Sequence, residues 1–356
     1  MTRRAVPSDV FSIGVGPYTG SGPVQEVGTF STVTVTQSLD TGTTVAFELP
    51  GTSPAARQID ELATDVWVYL AAATIARCRV VSVEQTFGPE GGDSVQVSAV
   101  DYKGLMNNRH VHSGLEFVSV DQAVILWNLI VHTQAQTGGD LGITSGTLDG
   151  GGITRDRSYS PGDNLGNIMG NLSNVINGPW WGIDADLVLN VAPFDSFTTA
   201  LTPILLGVTA RVMNRQSGVG QFANAAIITG NKDATVPLAI ANSDLGTDPR
   251  GRWERVESFP SVTEQNTLDE KGEGLLQSAR SPIARWAAEI DPARYLVDAA
   301  YTPGQFVDIV VPPSLVAPIG VPEFSVFGQI TSVTLTIDAD GTTGVSVIAV
   351  EVPDEL

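Results

Sequence analysis

The sequence predicts a mainly β chain with a small α+β unit inserted between two β-rich stretches. Three observations carry this. Polar and apolar residues alternate over the first hundred positions and again near the C-terminus, which is the period of strands with one wet face. In the middle of the chain, from Ser119 to Ile176, the period changes to that of helices. The 356 residues are 42% hydrophobic and 16% charged, enough for sizeable cores and unlike a disordered acidic tail.

Taken in order, Phe30, Val33 and Val35 stand among threonines, and Cys78, Val80 and Val83 among polar residues, as in half-buried strands. Between them, Ser53-Pro54 supplies an N-cap and a first-turn proline for a short helix carrying Ala55, Ala56, Ile59 and Leu62. A further alternating run, Asp93 to Val100, leads into Asp101-Tyr102-Lys103-Gly104-Leu105 and Arg109, closing a first, mostly β domain over 1–112. Residues 113–195 read as an α+β domain. Its first helix, Ser119 to Ala135, places Val120, Ala123, Val124, Trp127, Ile130 and Val131 on one face, with Trp127 in the core. Gly138-Gly139 through Gly150-Gly151-Gly152 reads as a surface loop. Ser160-Pro161-Gly162-Asp163 then starts a second helix with Leu165, Ile168, Met169, Leu172, Val175 and Ile176 inward, stopped at Asn177-Gly178-Pro179. Trp180-Trp181, Ile183, Leu187 and Leu189 make a hairpin turning at Asp184-Ala185-Asp186. The third domain, 196–356, has strands such as Phe222 to Thr229 and a helical segment around 263–292. Within that segment, Ser281-Pro282 opens a short helix holding Ile283, Trp286, Ala287 and Ile290, with Trp286 in the core. Strands Val307–Val311, Phe324–Thr336 and Val345–Val352 follow, the last two joined at Asp338-Ala339-Asp340-Gly341.

Charge excludes several functions. With 19 Lys+Arg against 39 Asp+Glu the formal net charge is −20, which repels phosphate backbones and anionic membranes, so sequence-specific duplex binding is excluded and proteins or sugars are the expected partners. The longest nearly apolar run, Val66 to Ala76, has eleven residues, about half of the ~20 that span a bilayer. Val6-Pro7-Ser8-Asp9 interrupts any signal-peptide core, so the chain is expected to be unprocessed and soluble. One cysteine, Cys78, allows no intrachain disulfide and no thiolate-rich metal site.

No chemical constellation emerges. His110 and His112 share one strand face and could ligate a metal together, but the third histidine, His132, sits on a helix and the remaining ligands are missing. Gly14-Val15-Gly16-Pro17-Tyr18-Thr19-Gly20 has the wrong spacing for a dinucleotide loop and no helix behind it. Asn231-Lys232-Asp233 has no phosphate loop to accompany it. Asp184/Asp186 and Asp338/Asp340 are turn aspartates bonding their own backbone rather than an acid–base pair or a calcium loop. Trp180 and Trp181 face opposite ways in a strand, which leaves at most one for a sugar platform. The expectation is a non-enzymatic building block with no catalytic, cofactor-binding or metal site.

The order of elements resembles the central hub proteins of phage tail tips and baseplates, the minor tail proteins of long non-contractile tails related to the trimeric hub of contractile ones. The resemblance rests on Val97-Ser98-Ala99-Val100-Asp101-Tyr102 with Leu105 and Arg109, and on Pro161-Gly162-Asp163-Asn164-Leu165 to Ile176 before the hairpin Trp180 to Asn190. Arg252-Trp253-Glu254-Arg255 with the helix Thr263 to Ala279, Tyr301-Thr302-Pro303-Gly304-Gln305-Phe306-Val307 and Phe327-Gly328-Gln329-Ile330 complete it. It covers about 25 to 352. It departs at Gln305, where an Asp is expected, and matches only loosely over 196–250. It implies two tube-type β-barrel domains flanking the α+β domain and a homotrimer whose six barrels join the six-fold tail tube to a three-fold tip. The implied partners are the distal tail protein, the tape-measure protein and other tail-tip proteins, with DNA only in passage through the lumen and no membrane insertion. The implied place is the virion tail tip, after synthesis in the host cytoplasm. The loop 138–152 is then a candidate contact with a neighbouring tail protein. A carbohydrate- or receptor-binding β-protein of a virion or cell surface, using Trp180 or Trp181 beside aspartates, is the alternative that the residues leave open. A glycan-degrading enzyme would need two carboxylates about 5 to 10 Å apart in a groove.

Overall fold

Alternation at the N-terminus becomes strand β1 (Phe11–Pro17), which turns Phe11, Ile13 and Val15 inward. The computed structural model describes residues 11–70, 73–88, 93–217, 222–230, 238–242, 251–259, 262, 265–279, 284–292, 301–312, 324–339 and 343–352. β2 (Gln25–Glu26), β3 (Thr32–Ser38), β4 (Gly42–Pro50), β5 (Thr64–Leu70), β6 (Ala73–Thr86) and β7 (Ser94–Asp101) follow. A one-turn helix α1 (Tyr102–Leu105) ends this stretch. The insert holds β8 (Leu115–Asp121), α2 (Gln122–Gln134), β9 (Thr144–Leu148), β10 (Thr154–Tyr159), α3 (Leu165–Ser173), β11 (Pro179–Ile183) and β12 (Val188–Pro193). The remainder holds β13 (Ile204–Leu205), β14 (Ala210–Ser217), β15 (Ala225–Thr229), β16 (Leu238–Asn242), β17 (Glu254–Ser258), α4 (Gln265–Ala279), β18 (Ala284–Ile290), β19 (Phe306–Val311), β20 (Phe324–Asp338) and β21 (Thr343–Glu351).

The two β-rich stretches are not separate sheets. Thirteen strands run in the order β14-β18-β21-β20-β3-β4-β7-β6-β5-β1-β2, with β19 on β20 and β13 on β19, curling into a half-barrel. The joint is β20, which changes partner along its length. Phe324 to Gln329 pair with β19, and Ser332 to Asp338 pair with β3, while β21 runs along its other side with a bulge between Ile330 and Ser332. A bulge bends a strand and sharpens its twist, which lets one long strand serve two partners. Side chains from both ends of the chain, Val35, Phe47, Val97, Leu335 and Val347 among them, share one core.

Helices α2 and α3 pack in the insert against the small sheet β11-β12-β9, while β8 and β10 form a two-stranded ribbon. A third, smaller core lies where α4 covers β16-β15-β17.

Four sequence expectations change. The helix after Ser53-Pro54 is a single 3-10 turn, Ala55–Gln58, and the chain is extended again at Ile59 because Asp60 and Thr64 close a turn of their own. Helix α2 forms, but it buries Ala123, Ile125, Leu126, Leu129 and Ile130, leaving Val124 and Val131 about two-fifths exposed and Trp127 half-buried. Its sequence is apolar on nearly every side, so periodicity could not choose the face and packing against α3 and β12 did. The Gly-rich 138–152 is not simply a loop: it contains β9, parallel to β12, and buries Leu141 and Ile143. The short helix expected around Trp286 is strand β18, with Ala284, Trp286, Ala288 and Ile290 inward and Arg285, Ala287 and Glu289 outward. Trp286 and Ile290 fit either period, and the backbone bonds offered by β14 on one side and β21 on the other decide for the strand. Ser281-Pro282-Ile283 lies outside the described residues.

Candidate functional site

The most developed polar architecture lies around α1, where the large sheet meets the insert. Asp101 ends β7 and caps α1, its carboxylate accepting from the backbone N–H of Gly104 at 2.8 Å and of Thr43. Burial raises its pKa, against the pull of those bonds and of Lys103. Gly42, at φ +83, lies so close that a Cβ there would meet the Asp101 carboxylate at 2.4 Å, which explains the glycine at this turn.

From this turn Tyr102 reaches into the sheet and Lys103 towards the insert. Tyr102 donates to Asp65 at 2.7 Å, and Asp65, whose side chain is fully buried, also accepts from Arg77 Nε at 2.8 Å and Arg79 Nε at 2.6 Å. Arg79 further donates to the Tyr102 oxygen at 2.8 Å and lies 4.0 Å over the Tyr18 ring, while Arg77 binds the carbonyls of Tyr18 and Gly20. Burial and the Asp65 charge push the Tyr102 phenol up to about 12. On the other side, Lys103 Nζ donates to the carbonyls of Leu39 at 2.8 Å and Trp181 at 3.0 Å and sits 4.8 Å over the Trp181 ring. Burial brings it down to about 8, opposed by Asp101 and Asp40. An open cleft of about 170 Å³ between Thr43, Lys103, Trp180, Asp184 and Asn190 marks the seam. Every charged group here is tied to a structural partner, so the arrangement holds two bodies together rather than presenting a nucleophile and base.

The sequence candidates are scattered. His112 and His132 do meet, the backbone N–H of His112 donating to His132 Nε2 at 3.0 Å, while His110 bridges to Asn164; among the described residues no cluster of three or more metal-ligating side chains exists. Gly14 and Gly16 lie in β1 beside Pro23, where a Cβ on Gly14 would meet the proline ring at 2.4 Å. Asp184 accepts from the backbone of Asp186 and Val188, as a turn aspartate does, and Asp338 accepts from Thr32. Asn231-Lys232-Asp233 and Asp340 fall outside the described residues. Trp181 is buried, and Trp180 stacks edge-on against Phe197 at 5.2 Å, so neither offers an open sugar platform. Phe197 also fills the space beside Gly304, at φ +97, and Gln305 closes that turn by accepting from the Thr302 N–H at 2.9 Å. Cys78 is fully buried, which raises its thiol pKa well above normal and suits packing rather than reactivity.

Sequence reasoning missed the Asp65 cluster. Its signal was present: an aspartate inside the apolar run Thr64–Leu70, and Arg77 and Arg79 sharing one face of a strand otherwise reading as half-buried.

No protein-family model and no curated protein matches the chain. Solved structures do. The 43 kDa tail protein of prophage MuSo2 from Shewanella oneidensis superposes with a TM-score of 0.66 at 14% identity, covering 96% of this chain and 98% of that one. The tail protein from Neisseria meningitidis MC58 gives 0.66 at 10% identity, with 96% and 97% covered. Prophage tail protein gp18 from Listeria monocytogenes EGD-e gives 0.60 at 10% identity, with 95% and 94% covered. The half-barrel with its insert is thus a fold shared with phage tail proteins. The likeness runs nearly end to end in both directions, and at these identities it is one of fold.

Proposed function

We propose that the chain is a structural, non-enzymatic component of a phage tail, the central hub of the tail tip or baseplate. The observation that carries the reading is the end-to-end match of one continuous half-barrel and its insert to tail proteins. The same fold class includes an E. coli type VI secretion component described as similar to the T4 tail proteins gp27 and gp5, at a TM-score of 0.52.

In this reading three copies close a ring. Among the described residues the sheet ends at β14, at β2 and, on the β19 branch, at β13, and sheet ends are buried when copies meet around a symmetry axis. The hub joins the six-fold tube to the three-fold tip, touching the distal tail protein, the tape-measure protein and other tail-tip proteins. Its −20 charge keeps DNA from adhering during passage through the lumen. Light scattering of the purified chain over a concentration series tests it. The expected mass is three times 37.4 kDa, with a ring in electron micrographs. A monomer at every concentration that also fails to join purified tails would overturn it.

A further inference from the structure

Buried positive charge gathers where β10 meets α4. Arg155 and Lys271 are 8% and 6% exposed, in a chain whose acids outnumber its bases two to one. Arg155 is satisfied: it donates to Glu270 at 2.9 Å, to the Ile176 carbonyl at 2.6 Å and to Gln122 at 3.3 Å. Its neighbours on that face of the strand are not. Across the irregularity in the β10–β8 pairing between Arg155 and Arg157, burial still alternates: Arg155 and Tyr159 are buried, Arg157 is half-buried and Asp156 and Ser158 between them are exposed, so the three share a face. Arg157 Nη1 donates to the Asp156 carbonyl at 2.8 Å, but its Nη2 is buried without a partner, and so is the hydroxyl of Tyr159.

Lys271 enters from α4, next to Glu270. Its Nζ lies 4.0 Å from the centre of the Phe259 ring and makes no hydrogen bond to any described residue. The two nearby carboxylates already have partners, Glu270 with Arg155 and Glu257 with Arg255, each at 2.9 Å. Arg157 and Lys271 feel each other directly: after burial, the Arg157 charge is the main cause that brings the Lys271 pKa down to about 8. Burial disfavours the Lys271 charge, the Arg157 charge adds to that, and Glu257 and Glu270 offset it only in part. Guanidinium, ammonium and phenol offer hydrogen-bond donors, and the cations offer no acceptor, so the missing group is an anion with more than one acceptor oxygen.

We propose that Arg157 and Lys271, flanked by the Tyr159 hydroxyl, form a binding site for a small inorganic oxyanion of the phosphate type, which ties β10 of the insert to α4. The site is independent of the hub reading, and either can fail without the other.

The test uses the full chain near neutral pH, titrated with sodium phosphate or with sodium chloride at matched ionic strength. The expected result is a saturable rise of the denaturation midpoint in phosphate only. Lys271→Met keeps the contact with Phe259 and removes the charge, so it should weaken phosphate binding by about tenfold or more. Arg157→Gln should do the same, and the exposed Arg252→Gln should not. Broadening of the phosphate ³¹P resonance by the wild-type chain, lost in Lys271→Met, reads binding without reference to stability. Equal midpoints in phosphate and chloride without ³¹P broadening, or a wild-type response in Lys271→Met, would overturn the proposal.

Discussion

The hydroxyls of Thr36 and Thr334, 298 positions apart in sequence, meet at 3.2 Å across β3 and β20. This is the seam at which the two ends of the chain become one sheet, and Val35 lies opposite Leu335 in the same register. Truncating Leu335 to Ala in that core should cost about 2–5 kcal/mol. Because the core is shared, the loss should lower amide-exchange protection in β4 and β7 as well as in β20 and β21. Loss of protection confined to the C-terminal strands would show two independently folding units.

Asp65, its own side chain fully buried, holds two arginines and a phenol. Asp65→Asn leaves Arg77 and Arg79 short of their counter-charge and should cost about 3–5 kcal/mol in urea denaturation. Tyr102→Phe removes the hydrogen bond to that carboxylate and the one accepted from Arg79 but leaves the charges paired, and should cost less, about 1.5–3 kcal/mol. A fully tolerated Asp65→Asn would mean that water replaces the carboxylate.

How much of this was legible depends on whether local pattern or distant pairing decides. Strands such as Val33–Val35 and Val95–Ala99 could be read because one side of each packs on a core, and α3 could be read because Leu165, Met169 and Leu172 fall on one stripe, although it starts at Leu165 behind the Asn164 cap and not at Ser160-Pro161-Gly162-Asp163. The face of α2 could not, since Ile125 and Leu126 compete with Val124 and Trp127 for the interior. Nor could β18, whose strand state depends on partners 210–217 and 343–351. The joining of β3 to β20 leaves no local trace. Of the candidate site, Asp101-Tyr102 drew attention as a motif, whereas its bond to Asp65 required knowing that β5 pairs with β6 and places Asp65 opposite Arg79.

Lys103 predicts a pH dependence with a definite sign. Its folded pKa is about 8 against an ordinary 10.5, so between those values the unfolded chain binds a proton that the folded chain does not, and this residue's contribution to stability rises with pH. The neutral amine keeps two N–H groups for the carbonyls of Leu39 and Trp181, so the bonds across the seam survive. Buried Cys78 and Tyr102, with raised pKa values, push the other way at alkaline pH, so the term is isolated by comparison with Lys103→Met. The stability of wild type minus that of the variant should climb from pH 8 to 10.5, measured in phosphate-free urea titrations. A flat difference would count against it.

Residues 138–152 offer a test of the corrected reading. As a plain surface loop the segment could be deleted without harm to folding. As found, deletion removes β9 from β12 and takes Leu141 and Ile143 out of the insert core, so it should unfold the insert, seen as lost near-ultraviolet signal from Trp127 and Trp181. A deletion variant with native signal would restore the loop reading.

The two tryptophans expected in cores separate in the structure. Trp286 is 4% exposed, and its indole N–H donates to Glu351 at 2.8 Å, the same carboxylate that Arg215 grips at 2.9 Å. Truncation to Ala therefore empties part of the shared core and also strips one partner from an interstrand bridge between β14, β18 and β21. It should cost about 3–5 kcal/mol. Trp127 sits half-buried on the flank of α2 and anchors no such bridge, so Trp127→Ala should cost less than Trp286→Ala. Trp286→Phe divides the two effects at the first site: it keeps most of the buried area and loses the N–H, and should cost about 0.5–3 kcal/mol. Equal losses for the two alanine variants would mean that α2 buries Trp127 against a surface supplied by another copy of the chain. Repeating the measurement over a concentration series then distinguishes that contact from a misplaced helix.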